Sequence, residues 1–300
     1  MRVARILLIC ACALFADGPG ALASGNIAPP TAEPLESVMV MQVDGWIRID
    51  PEGGVADFTI DSELLPKLRQ NLERTVRGWR FEPVVIDGTP RMVRARTRVV
   101  LAASQIGNAY RITVDNVTFP NEPDAEASLP DDLPPPIGAG KLEPPSWPRG
   151  LLGANVSGQV LLCLRIGAGG RVEEVVAVQS MLFDVKGKDR VLRDVIQQFE
   201  RSALITARRW HFKISAERGR MSADERSVNV PVVFAMERRP DVDLPGRWRT
   251  IVRAPQRAVQ WLPESPDSPK VGVSDVAAGE VMSSSSLVKL NTDVVGMIVM

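Results

Sequence analysis

One histidine, His211, and three cysteines, Cys10, Cys12 and Cys163, are all that this 300-residue sequence offers for metal or nucleophile chemistry. A His/Cys zinc site has too few ligands, and a Ser-His-Asp or Cys-His mechanism would have to use His211, wedged between Trp210 and Phe212. Net charge is missing too. Lys plus Arg number 36 and Asp plus Glu 36, so the strongly basic field that nucleic-acid binding requires is absent. Gly167-Ala168-Gly169-Gly170 lies between two strand patterns, whereas a phosphate loop would open a helix and carry a lysine or a three-glycine fingerprint. The sequence reads as a binding or structural protein and not as an enzyme, with no cofactor and no metal.

Long apolar runs are also lacking. The longest near the start, residues 6–16, falls short of the roughly 20 residues that span a bilayer. Arg2 and Arg5 precede it and Ala21-Leu22-Ala23 follows, the pattern of a secretory signal over residues 1–23, cut after Ala23. That predicts a periplasmic protein; an uncut segment would instead anchor the N-terminus in the inner membrane. Neither Cys10 nor Cys12 follows a convincing small-residue lipobox. After cleavage only Cys163 remains, so no internal disulfide can form and the fold must stand on its core.

Beyond the leader, hydrophobic periodicity changes in a fixed order. Residues 38–49 alternate as a strand, Asp50-Pro51-Glu52-Gly53-Gly54 supplies a hairpin turn, and residues 55–60 return. Leu65, Leu68, Leu72, Val76 and Trp79 then recur at helical spacing, and residues 92–102 close the unit as a strand. In that strand Arg94, Arg96 and Arg98 share one face: either a basic stripe for an anionic surface such as peptidoglycan or lipid headgroups, or a solvated outer face. Residues 109–119 read as one more strand, which bounds a first α+β domain at 38–119. A Pro-rich, acidic linker covers 120–146. Over 147–237 the plan repeats, with a helix face of Leu192, Val195, Ile196, Phe199, Ala203 and Ala207 leading to Trp210. Residues 238–300 read as a largely irregular tail, with room for one strand or a docked Trp.

Several of these features occur together in one known family. Trp147-Pro148, Gly158-Gln159-Val160, the Gly169-Gly170 turn, Trp210-His211-Phe212 and the closing strand Val228, Asn229, Val230, Pro231, Val232, Val233 and Phe234 follow in the order of the TonB C-terminal domain family, which residues 147–237 resemble. Residues 38–102 resemble a degenerate copy, with Trp79-Arg80-Phe81-Glu82-Pro83 in the matching place. The resemblance implies an α+β fold of two small β-β-α-β units joined by the Pro-rich linker. It also implies a periplasmic module that recognises a partner by β-strand addition at the closing strand, the partner being an envelope protein such as an outer-membrane transporter. The alternative is a structural or assembly protein of the envelope, acting through homodimerisation or by holding peptidoglycan.

Overall fold

The computed structural model describes residues 33–120, 124–125, 137–214, 226–235, 245–262, 270–284, 286 and 288–300. The expected signal at 1–23 and most of the expected linker lie outside these residues. Among the described residues the fold is α+β, mostly antiparallel sheet with two α-helices.

In β1 (Glu36–Ile49), Val43, Ile47 and Ile49 are buried on one face and Gln42, Trp46 and Arg48 lie on the other. A turn follows in which Gly53 takes φ +83 and the Asp50 carboxylate accepts the Gly54 N–H at 2.7 Å, returning the chain into β2 (Val55–Ile60). Helix α1 (Pro66–Arg77) starts on a proline preset for the first helical position and buries Leu68, Leu72 and Val76. Leu65, expected on this face, is exposed because it precedes Pro66 in extended conformation, off the helical track. Trp79 and Phe81 are buried. A small hairpin, β3 (Val85–Ile86) and β4 (Thr89–Pro90), turns on Asp87-Gly88 and leads to β5 (Val93–Ile106) and β6 (Ala109–Thr118). The two-residue β7 (Asp124–Ala125) pairs with β5.

The second half opens with β8 (Ile137–Lys141), at the end of the Pro-rich stretch, and continues into the hairpin β9 (Ser157–Ile166) and β10 (Val172–Phe183). Helix α2 (Asp189–Ala207) buries Leu192, Ile196, Phe199, Ala203 and Ala207, with Val195 half-buried beside them. Next come β11 (His211–Ile214), paired with β8, and β12 (Ser227–Phe234). The halves share their connections. In each, the strand before the glycine turn lies between its hairpin partner and the strand that follows the helix: β2-β1-β5 and β10-β9-β12. Each turn also docks on the segment after the helix. Phe81 donates its N–H to Gly53 O and Phe212 to Gly170 O, both at 2.8 Å. A Cβ on Gly53 would lie 2.1 Å from Phe81 O, and one on Gly170 2.2 Å from Phe212 O, so glycine is required for the approach as well as for its positive φ.

The described parts of residues 238–300 carry little regular structure, yet they fasten the molecule. β13 (Arg249–Arg253) lies between β10 and β1, so that one ten-stranded sheet runs β14-β12-β9-β10-β13-β1-β5-β6, with β2 also on β1 and β7 also on β5, β14 being Met282–Ser283. Arg253 secures the junction: its guanidinium holds both Asp115 oxygens, at 2.6 and 2.9 Å, and Glu36 at 2.7 Å. Burial works against that charge, but the two carboxylates outweigh it and keep the Arg253 pKa above the ordinary arginine value. Both helices pack on one sheet face. A strap formed by residues 270–284 covers the other, burying Val271, Val273, Val276 and Met282. Side-chain amides hold the strap by its backbone: Gln42 bonds Ser274 O, Gln159 bonds Val273 O and Val276 O, and Asn116 bonds Lys270 O. The C-terminus finishes the β6 edge, with Val114 N–H donating to Met297 O and Ile112 N–H to Met300 O.

Candidate functional site

At the end of the sheet opposite β6, the closing strand meets its surroundings through one edge. β12 pairs with β9 in unbroken register, from Ser227 opposite Arg165 to Phe234 opposite Gly158. Ser284 N–H donates to Ser227 O, so the backbone groups of Ser227 face away from β9. Antiparallel geometry then turns those of Asn229, Pro231 and Val233 outward as well, while Val228, Val230, Val232 and Phe234 bond β9. Pro231 thus spends no ladder hydrogen bond, since its missing N–H lies on the outer side. β14 covers this edge only at Val228, opposite Ser283, and Asn229, opposite Met282. Among the described residues no strand pairs with positions 231–234 on the side away from β9.

Behind this edge the strand is rigidly backed. Phe234 stacks on Phe199 of α2 with centroids 4.3 Å apart, and Trp147 meets both rings edge-on at 5.6 and 6.1 Å. All the site residues of β12 are buried except Val233, which is half-buried. Of the outward-facing positions, Val233 is the one that keeps partial exposure, on a strand whose side chains are committed to the core. The first half has the equivalent position filled: β5 carries the ten-residue β6 along its outer side, from Arg98 opposite Thr118 to Ile106 opposite Ala109.

The arginines of β5 share one face, as the alternation predicts, but they do not form a stripe of free cations. Arg98 is buried, with Nε on Asp44 at 2.7 Å and Nη1 on Glu280 at 2.7 Å. The reading of Arg98 as part of an exposed anionic-surface contact is corrected accordingly; the strap covers this part of the face, which alternation alone cannot reveal. Burial disfavours the Arg98 charge, and Asp44 and Glu280 together raise its pKa above the ordinary value nonetheless. Arg96 is half-buried, 3.7 Å from Asp44 and 3.5 Å from Asp61. Arg94 is exposed and lies over the Trp46 ring at 4.0 Å, beside an open cavity of about 330 Å³ lined by Trp46, Arg48, Asp57, Thr59 and Arg94.

The residues weighed for chemistry lie apart. His211 is exposed, bridging Arg171 across the strands. Cys163 is buried in β9, where loss of solvent pushes its thiol up to about 11 and Ser284 Oγ sits 3.6 Å away. Among the described residues no three His, Cys, Asp or Glu side chains gather as metal ligands, and no helix is long and apolar enough to cross a membrane. Among the described acids Asp275 is the most perturbed. Burial pushes it up to about 7 and Asp115 adds to this, against the Gly272 N–H, the Asn116 amide and the Arg98 charge.

No family model, curated protein or solved structure matches this chain. Sequence reasoning missed Met282, Ser283 and Ser284, whose neighbourhood reads as low-complexity serine; the only signal, Met282 before a serine run, is too short to mark a strand.

Proposed function

We propose that this protein is a periplasmic TonB-like binding module that recognises a partner by β-strand addition along β12, as an accessory to outer-membrane transport. Its two β-β-α-β halves are read as two copies of one TonB C-terminal-like unit. The shared strand order and the paired Gly53–Phe81 and Gly170–Phe212 contacts support that reading. One observation carries the functional step: the outer side of β5 is occupied by the full-length β6, while among the described residues the only strand on the equivalent side of β12 is the two-residue β14. An extended envelope segment docks there through the outward backbone groups of residues 231–234.

The test is capture of envelope proteins by wild type and by Val233→Pro, which removes an outward N–H and leaves every β9 bond in place. Loss of capture in Val233→Pro, with retention in the double variant Arg94→Ala/Arg96→Ala, is the expected result. The reverse pattern would favour the second reading, an envelope assembly protein that holds anionic cell-wall material on the Trp46–Arg94 surface.

A further inference from the structure

The edge of β12 already holds a strand, and that strand indicates what an incoming one would look like. Met282 lies opposite Asn229, which lies opposite Cys163, so these side chains form one row across the far face of the sheet. Met282 is buried in that row with the apolar cluster beneath the strap. Ser283 pairs with Val228 and is half-buried. Ser284 completes the contact: its N–H bonds Ser227 O at 2.9 Å, and its hydroxyl lies 3.3 Å from Asn229 Nδ2 and 3.6 Å from Cys163 Sγ. The resident strand thus presents a large apolar side chain, then a small one, then a hydroxyl.

It leaves the edge for an identifiable reason. Two residues before Met282, the Glu280 carboxylate is held by Arg98 Nη1 at 2.7 Å and by Ala277 N–H at 2.9 Å. The chain is drawn over the face of the sheet instead of continuing beside Val230 and Pro231. A strand without that tether would extend the same antiparallel register through Phe234, exchanging a two-residue pairing for the eight residues of β12.

We propose that the partner strand replaces residues 282–284 on β12, antiparallel, with an apolar residue at the Met282 position followed by small and hydroxyl-bearing residues. This rests on the strand-addition reading and specifies its ligand: an extended peptide that displaces an internal mimic. Occupancy by the mimic lowers the apparent affinity of any partner by the fraction of molecules in which the edge is free.

The test uses the full chain and a synthetic peptide with the sequence of residues 277–286, followed by amide hydrogen exchange. On binding, the Val233 N–H is expected to become protected and the Ser284 N–H of the protein to lose protection. Protection of Val233 with Ser284 unchanged would overturn the displacement and leave strand addition standing. Protection of neither would overturn both. A disulfide lock, Val228→Cys/Ser283→Cys, is expected to weaken peptide binding at least about tenfold when oxidised and to restore it when reduced. Unchanged binding by the oxidised lock would overturn the proposal. Should the lock not fold, Met282→Ala provides the second arm: it loosens the mimic and is expected to tighten peptide binding several-fold, and weaker or equal binding would count against displacement.

Discussion

Asp44, Arg98 and Asn116 on the sheet and Asp275 and Glu280 on the strap form the polar contact between the two, and their individual energetics can be predicted. Arg98→Ala would leave the buried Asp44 carboxylate without its closest counter-charge, a loss of about 3–5 kcal/mol in unfolding free energy by urea titration. The double change Arg98→Met/Asp44→Leu should cost less, because neither charge is then stranded. Asp275 gives the pH dependence. Its carboxyl rises from the ordinary 3.8 to about 7 in the folded chain, which therefore holds the proton more tightly than the unfolded chain does. That contribution is fully present below about pH 4 and is lost as pH rises through about 7. Asp275→Asn, which cannot ionise, should flatten the fall in stability between those limits; an unchanged slope would show that Asp275 does not titrate there. At this scale the sequence is half legible. Alternation puts Arg94, Arg96 and Arg98 on one face, but what covers Arg98 arrives from 182 residues away at Glu280.

Among the elements, periodicity makes the helices and hairpins plain, because Leu68, Leu72, Val76 and Trp79 repeat the spacing of Phe199, Ala203, Ala207 and Trp210. The glycine turns are equally legible, since both need a positive φ and a close approach to the segment after the helix. β13 is not. Its five residues carry only two core side chains, Ile251 and Val252, amid Pro- and Arg-rich sequence, and its position between β10 and β1 depends on pairing with strands distant in the chain. β14 is shorter still. Because β13 joins the halves, the described sheet should unfold as one cooperative unit. Ile251→Ala is expected to cost about 2–4 kcal/mol and to shift a single transition followed by tryptophan fluorescence. Two separated transitions would show that β13 does not couple the halves.

At the scale of the whole molecule, the described sheet has a first half completed by β6 and the C-terminal residues and a second half whose last long strand, β12, carries only the two-residue β14 on its outer side. The motifs that resemble the TonB C-terminal family locate the closing strand. They do not reveal which of its backbone groups face outward, because that depends on the register with β9. Val230 and Val232 spend their N–H groups on β9, so a proline there would damage the sheet; Val233 is the position that reports on the edge alone. The most direct measurement is in-cell photocrosslinking from positions 233 and 235, with the crosslinked partner residues mapped by mass spectrometry. Strand addition predicts one extended segment of an envelope protein, with the contact shifting two residues toward that segment's N-terminus between the two positions. Crosslinks scattered over several segments without that shift, or none from either position, would contradict it.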